Sequence, residues 1–264
     1  MNAVAISPSR PFRAATVADD NQLVFYHGPP FRFNSASRSH SKFVYDVAFS
    51  PDGKSLVSVG ADAKAYLYDG KTGESKGALN ADGGHKGSIF AVGWEKSSAR
   101  VVTASADQTI KLWDVESNKV VQYLPLLSLG HLTDFRRTWL FGSGSSVPHQ
   151  QVGTVFTTSS AAPIVSLSLS GILNYLDPSS AKPIRSVAGH QKPVISLCAT
   201  ESKSVLTGSY DGRVCAWDIA SGDAEIISED GGGVVRFASS ESHVWSISQD
   251  DILKEIDIQK LSLR

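Results

Sequence analysis

Two stretches of this sequence repeat each other and decide the fold: Val101-Val-Thr-Ala-Ser-Ala-Asp107-Gln-Thr-Ile-Lys-Leu-Trp113-Asp114 and Val205-Leu-Thr-Gly-Ser-Tyr-Asp211-Gly-Arg-Val-Cys-Ala-Trp217-Asp218. Each begins with a short run rich in apolar residues, turns at an Asp, and continues with a second run that ends in Trp-Asp. This pattern predicts two β-strands joined by a tight turn. The repetition itself indicates a repeat protein.

Four weaker copies of the same pattern complete the series. The six turn positions are Asp20, Asp62, Asp107, Ser170, Asp211 and Asp250. Successive gaps are 42, 45, 63, 41 and 39 residues, and a period near 40 is typical of WD-type propeller blades with four strands each. The long third gap predicts an insertion of about 20 residues beyond that period.

A further strand is predicted ahead of each pair. Residues Phe43–Phe49 alternate in polarity and run into Ser50-Pro51-Asp52-Gly53, a sequence that favours a turn. Ile89–Trp94 and Val194–Cys198 occupy the same place in their repeats. Because no segment carries a helical apolar period, the sequence predicts an all-β protein of six four-stranded WD repeats.

Composition excludes several classes of function. The 264 residues include 25 Lys+Arg and 26 Asp+Glu, a net charge of −1, which gives no electrostatic footprint for nucleic acid or an anionic membrane. The amino terminus lacks the pattern of a signal peptide. Two cysteines, Cys198 and Cys215, cannot build a disulfide framework or a four-ligand zinc site. We expect a cytoplasmic protein without a metal, a cofactor or a small-molecule substrate.

Polar residues recur at fixed places inside the repeats. Three repeats have a His 21 or 22 residues before the turn Asp, and all six have a Ser or Thr four residues before the turn position. We interpret them as a buried relay in which the Asp accepts from the imidazole, the imidazole meets the hydroxyl, and the hydroxyl meets an indole N–H or its substitute. The predicted sets are His85, Thr103, Asp107 and Trp113; His190, Thr207, Asp211 and Trp217; and His40, Ser58, Asp62 and Tyr68.

A Ser/His/Asp set is also compatible with a hydrolase. A catalytic triad needs one nucleophile on an exposed turn beside an oxyanion hole. Here the set recurs once per blade, and its hydroxyl is often a Thr inside a strand. The sequence therefore favours the structural interpretation, with no catalytic residues and no enzyme activity.

A more specific resemblance is carried by the first third of the chain. The runs Arg10-Pro-Phe-Arg-Ala-Ala-Thr-Val-Ala-Asp-Asp-Asn21 and Phe25-Tyr-His-Gly-Pro-Pro-Phe-Arg-Phe33 resemble the actin-interacting protein 1 family, WD-repeat partners of cofilin. The resemblance implies two seven-bladed propellers in tandem, of which this chain would be an incomplete middle part. It also implies binding to actin filaments decorated with cofilin, promotion of their disassembly, and a place in the actin cytoskeleton.

Three segments are predicted along the chain. Residues 1–122 would hold three WD repeats, residues 123–148 an irregular insertion or linker, and residues 149–264 three more repeats. The family resemblance lapses inside the middle segment. Two hypotheses remain open for it: an artefact such as a retained intron, and a genuine surface loop, which blades tolerate.

Four residues are predicted to bind partners. Asp19 lies in the turn between the second and third strands of the first repeat, Arg32 and Phe33 lie on its outer strand, and Phe43 opens the second repeat. We expect them to converge on one rim, a mixture of charged and aromatic side chains typical of binding hot spots. The family resemblance points to the same four positions. The alternative is that Phe33 and Phe43 pack between blades.

Two functions from different classes are therefore under consideration. The first is an actin- and cofilin-binding protein that promotes disassembly of cofilin-decorated filaments. The alternative is a generic WD-repeat adaptor scaffold for another protein complex. The Gly28-Pro-Pro-Phe-Arg-Phe33 run favours the first, because a generic adaptor has no reason to carry it.

Overall fold

The computed structural model describes most of the chain: residues 1–79, 83–117, 119–120, 138–142, 146–160, 163–180, 182–190, 192–200, 204–229, 231–239 and 243–257. In these residues all regular structure is β-strand apart from a 3-10 turn at Val147–His149. The chain divides into two compact units, Met1–Phe141 and Gly142–Arg264, and each contains three antiparallel sheets. The predicted all-β architecture of six WD-type repeats is confirmed.

The first unit consists of sheets 1, 2 and 3. In sheets 1 and 2 the strands pair in chain order, so every connection within these two sheets is a hairpin. The first four strands of sheet 3 pair in the same way, and its fifth strand pairs with its third. Sheet 1 is formed by β1 (Ala3–Ile6), β2 (Arg13–Val17), β3 (Leu23–His27) and β4 (Arg32–Ser37). Sheet 2 is formed by β5 (Val44–Phe49), β6 (Ser55–Gly60), β7 (Ala65–Asp69) and β8 (Ser75–Ala78), and sheet 3 by β9 (Ile89–Trp94), β10 (Arg100–Ser105), β11 (Thr109–Asp114), β12 (Lys119–Val120) and β13 (Thr138–Leu140).

The second unit consists of sheets 4, 5 and 6 and follows the same plan. Sheet 4 is formed by β14 (Gln151–Phe156), β15 (Ile164–Ser168), β16 (Ile172–Leu176) and β17 (Arg185–Ala188). Sheet 5 is formed by β18 (Val194–Ala199), β19 (Ser204–Ser209), β20 (Arg213–Asp218) and β21 (Ala224–Glu229). Sheet 6 has three strands among the described residues, β22 (Val234–Ser239), β23 (His243–Ser248) and β24 (Leu253–Asp257).

The tight turn between the second and third strands has the same backbone in all six sheets. The residue that follows each predicted turn position has a positive φ, between 61° and 83°. In sheets 4 and 5 that residue is Gly171 or Gly212, which adopts this conformation without steric cost. The other four sheets use Asn21, Ala63, Gln108 and Asp251.

The core of each unit lies between successive sheets. Side chains of sheet 1, including Phe25, pack against Tyr68 and its neighbours in sheet 2. The other face of sheet 2 packs against Trp113 of sheet 3. In the second unit, sheet 4 packs against Trp217 of sheet 5, and the other face of sheet 5 packs against sheet 6. Each aromatic residue of a predicted relay is therefore buried against the preceding sheet.

The outer strand of sheet 3 is interrupted. Its first part, β12, places Val120 opposite Trp113, and continuing that register would put Gln122 opposite Lys111. The residue found opposite Lys111 is Thr138 of β13, which is 16 positions later in the sequence. The insertion therefore lies inside one strand rather than after it.

The structure describes only part of the predicted segment 123–148. Residues 138–140 form β13, where the prediction was irregular structure, and residues 147–149 form the 3-10 turn. Residues 123–137 and 143–145 lie outside the described residues.

Deletion of residues 122–137 is expected to leave a folded protein. It joins Val121 to Thr138 and restores one continuous register along β11. Shortening the chain by 16 residues between two paired points lowers the entropic cost of bringing those points together. The free energy of unfolding should therefore rise by about 2 kcal/mol, measured by urea unfolding followed by circular dichroism.

A deletion longer by one residue is the control. Removing residues 122–138 shifts the register by one and turns Trp139, now 1% exposed, to the other face of the sheet. This variant should be strongly destabilised. Equal stability of the two deletions would contradict the register.

Candidate functional site

The three predicted relays are assembled as continuous hydrogen-bonded chains. In sheet 3, the distance from His85 Nδ1 to Asp107 Oδ2 is 3.0 Å, from His85 Nε2 to Thr103 Oγ1 2.7 Å, and from Trp113 Nε1 to Thr103 Oγ1 2.8 Å. In sheet 5, the corresponding His190–Asp211, His190–Thr207 and Trp217–Thr207 distances are 3.3, 2.7 and 2.7 Å.

The relay of sheet 2 uses a tyrosine in place of the indole. His40 Nδ1 lies 3.0 Å from Asp62 Oδ1, and His40 Nε2 lies 2.8 Å from Ser58 Oγ. Ser58 Oγ is 3.2 Å from the Tyr68 hydroxyl. The structure thus brings together all twelve residues that the sequence assigned to relays.

Each relay links four different parts of its blade. The hydroxyl lies on the second strand, the aromatic ring on the third, and the carboxylate on the turn between them, while the His lies on the loop that enters the blade. The carboxylate also accepts a hydrogen bond from the backbone N–H of the residue after the His. Ser41 donates in this way to Asp62, and Lys86 donates to Asp107. The relay therefore fixes the entry loop to the turn.

Glycine precedes one of these histidines for a steric reason. A Cβ atom at Gly189 would lie 2.7 Å from Cη2 of Trp217. The indole can reach the relay only because the backbone before His190 carries no side chain.

The relay histidines are held neutral. Burial lowers the pKa of His40, His85 and His190, and this effect exceeds the opposite one of the neighbouring carboxylates. Burial by itself would raise the pKa of Asp107, but hydrogen bonds from His85, Thr109 and the Lys86 backbone lower it below its usual range. A neutral imidazole can donate from Nδ1 to the carboxylate and accept at Nε2 from the hydroxyl.

The relay hydroxyls do not have the setting of a nucleophile. Ser58, Thr103 and Thr207 are each 0% exposed. The hydroxyls of Thr103 and Thr207 already meet both an imidazole and an indole. A substrate could reach them only if the blade opened.

The described residues of the other three sheets do not form this hydrogen-bonded chain. In sheet 4, Ser166 Oγ donates to Oε1 of Gln151 at 3.0 Å, so an amide replaces the imidazole. Gln151 is not among the predicted relay residues, because the pattern that predicts a relay contains a histidine. Ser246 of sheet 6 is buried, and its hydroxyl has no hydrogen-bond partner among the described residues. Thr16 of sheet 1 is half-buried.

Two of the predicted partner-binding residues lie at the same end of sheet 1. This end, which carries the turn between β2 and β3, is called the turn rim. Asn2 Nδ2 donates to Asp19 Oδ1 at 2.8 Å and to the Val44 carbonyl at 2.9 Å, and Val44 N donates to the Ala18 carbonyl. Asp19 therefore adjoins Phe43, which is 50% exposed.

The other two lie at the opposite end, so the predicted convergence on one rim is wrong. Arg32 and Phe33 begin β4 and pair with His27 and Tyr26 at the end of β3. That end, which carries the β3–β4 hairpin, is called the hairpin rim. Because β4 rises by about 3.3 Å per residue, Arg32 lies about 16 Å from the end of β4 at the turn rim. Both residues are exposed.

In the part of the chain that the structure describes, no group of three or more His, Cys, Asp and Glu side chains could hold a metal ion. No helix within these residues is long and apolar enough to cross a membrane. Both cysteines are buried, and burial raises the pKa of Cys215 to about 11, which leaves an unreactive thiol.

Comparison with known proteins agrees with this geometry. The family model "WD domain, G-beta repeat" matches residues 33–69, 78–114 and 181–218. The chain therefore contains WD repeats. Its three matched segments end at Asp69, Asp114 and Asp218, the last residues of the third strands of sheets 2, 3 and 5.

Curated relatives extend the similarity to nearly the whole chain. WD repeat-containing protein 1 of Xenopus tropicalis is 37% identical over 261 residues, covering 96% of this chain and 40% of the relative. The same protein of Gallus gallus is 36% identical over 98% of this chain and 41% of its own length. Actin-interacting protein 1 of Drosophila melanogaster is 35% identical over 98% and 40%.

These identities confirm the predicted resemblance to the actin-interacting protein 1 family. The WD-repeat chain spans about two fifths of the length of the relatives it matches.

Substitution Asp107→Ala is expected to destabilise the WD-repeat chain. It leaves the Nδ1–H of a buried imidazole without an acceptor and should lower the free energy of unfolding by about 2 kcal/mol or more, measured by urea unfolding. Asp20→Ala is the matched control, because Asp20 has the same turn position but is exposed and contacts Gln22 instead of an imidazole. A change of equal size in both variants would argue against the relay.

Stability is also expected to fall in mild acid. Because the folded pKa of the relay histidines is lowered, only the unfolded chain takes up protons as the pH drops below about 6.5. The contribution of the neutral histidines to the free energy of unfolding is complete above that pH. It is lost as the pH falls from there through the lowered pKa that these histidines have in the folded chain. Each histidine adds at most about 1.4 kcal/mol per pH unit.

The change of the free energy of unfolding with pH can be measured by urea unfolding at several pH values between about 8 and about 5. This range includes the ordinary histidine pKa of about 6.5. His85→Gln should make the slope shallower, because it removes one of the three histidines whose pKa is lowered by burial. A flat profile in the unmodified chain would contradict the neutral imidazoles.

Proposed function

We propose that this chain binds actin filaments decorated with cofilin and promotes their disassembly, as a scaffold without catalysis in the cytoplasmic actin cytoskeleton. The observation that carries the proposal is the similarity, over 98% of the chain, to a protein named actin-interacting protein 1. The absence of an accessible nucleophile in the relays supports the non-enzymatic part.

The turn rim of the first unit provides a suitable contact surface. Asn2 bridges the turn of sheet 1 to the first strand of sheet 2, so the backbone around Asp19 and Phe43 is cross-linked before any partner arrives. A half-exposed aromatic ring on a rigid backbone can be buried with little loss of conformational entropy. Asp19 adds a charge beside it that can fix orientation.

The hairpin rim provides a second contact surface in this proposal. Arg32 and Phe33 are exposed there, and Phe33 is 66% exposed. A partner that touches all four residues must therefore bridge two ends of sheet 1. A filament that carries a second protein offers surfaces of that extent.

The experiment is co-sedimentation with actin filaments, with and without cofilin. Phe43→Ala should weaken binding to cofilin-decorated filaments by about tenfold or more, as expected for an aromatic hot spot, and Asp19→Ala should slow disassembly. Tyr210→Ala is the matched control, because Tyr210 is an aromatic residue 43% exposed in the second unit.

Two outcomes would contradict the proposal. Wild-type disassembly by both rim variants would remove the turn rim from the binding site. Failure of the unmodified chain to bind filaments under either condition would favour the adaptor-scaffold alternative.

A further inference from the structure

Three basic side chains lie in one row across sheet 1. Arg13 of β2 is opposite His27 of β3, and His27 is opposite Arg32 of β4. Directly opposed side chains in antiparallel strands are about 5 Å apart and point to the same face of the sheet. Arg13 and Arg32 therefore lie on one face, on either side of His27. The row lies at the hairpin rim.

Sheet 1 provides no carboxylate to neutralise this row. Residues 1–18 and 21–45 contain no Asp or Glu, and the two acidic residues between them lie at the opposite rim. In the part of the chain that the structure describes, neither Arg13 nor Arg32 forms a salt bridge.

Sheet 2 does not supply net negative charge either. Its turn 70–74 approaches the row through a contact of 3.4 Å between His27 Nε2 and the Lys71 carbonyl. That turn carries Lys71 and Glu74, whose charges offset each other. Asp69, at its base, is paired with Lys76 and accepts the Lys71 backbone N–H.

The neighbouring side chains make the row part of a larger exposed patch. Arg10 lies over the ring of Phe12, with its guanidinium carbon 5.5 Å from the ring centroid. The backbone N–H of Gly28 donates to the Phe12 carbonyl, which ties the first turn of the sheet to the β3–β4 hairpin. Phe31, at the tip of that hairpin, is 45% exposed.

We propose that Arg10, Arg13, His27, Phe31 and Arg32, the arginine patch, bind an acidic segment of a partner protein. Each planar guanidinium group forms two parallel hydrogen bonds to a carboxylate of the segment, and Phe31 packs on an apolar side chain of the same segment. The inference rests on the proposed function only in that Arg32 belongs to both surfaces. Because the test below contains no actin, a failure of the arginine patch to bind an acidic segment is distinguishable from a failure of the chain to bind actin filaments.

A protein segment fits this patch better than a phosphate-bearing surface. The chain has a net charge of −1, so it lacks the general attraction that nucleic acids and anionic membranes exert on basic proteins. The patch is a single row beside an exposed phenyl ring, a combination of Arg and aromatic side chains that is enriched at protein interfaces.

The test uses a fluorescent random copolymer of glutamate and tyrosine, with binding followed by anisotropy. The full chain should bind it, and more weakly at about 200 mM than at about 20 mM salt. The variant Arg13→Gln/Arg32→Gln should lose about tenfold or more in affinity. Arg38→Gln is the matched control, because Arg38 is exposed on the same sheet just beyond the other end of β4.

Thermal unfolding separates this role from a structural one. Because Arg32 is exposed and forms no salt bridge among the described residues, Arg32→Gln should change the melting temperature by less than about 1 °C while it weakens binding. A residue kept for packing or pairing would lower the melting temperature when replaced.

Three results would overturn the proposal. They are failure of the unmodified chain to bind the copolymer at low salt, unchanged binding by the double variant, and tighter binding of anionic lipid vesicles or single-stranded DNA than of the copolymer at the same salt.

Discussion

A neutral imidazole held between a strand hydroxyl and a turn carboxylate is the interaction on which sheets 2, 3 and 5 depend. It joins the loop that enters a blade to the second strand and to the turn, and it buries the aromatic residue of the third strand against the preceding sheet. In sheet 2 the consequence reaches the surface. His40 anchors the connection between β4 and β5, and Phe43 is displayed three residues later beside Asp19.

Strand direction is the second constraint, and it decides what can act together. Because each strand reverses the course of the one before it, residues close in sequence near a hairpin lie far from residues near the opposite turn. The same registers that separate Arg32 from Asp19 bring Arg32 alongside His27 and Arg13. The same strand registers therefore overturn the predicted single rim and form the row of basic residues from which an acidic ligand is inferred.

Much of the fold is predictable from the sequence because its signals are local and repeated. The turn Asp, the preceding hydroxyl and the Trp-Asp ending fix the strand pairs, and His85, Thr103, Asp107 and Trp113 could be grouped from spacing alone. Gln151 could not, since an amide that replaces a histidine breaks the pattern that reveals it. The prediction that all four partner-binding residues lie on one rim was wrong because it did not take the length of β4 into account. The interruption in the outer strand of sheet 3 was not predictable, because no sequence pattern encodes the registers of β12 and β13 against β11.

The most direct measurement of the central claim is the nitrogen-15 spectrum of the histidine side chains at neutral pH. The account predicts that His40, His85 and His190 are neutral, carry their proton on Nδ1, and show slowly exchanging Nδ1–H signals. Doubly protonated rings at these three positions, or neutral rings with the proton on Nε2, would contradict it.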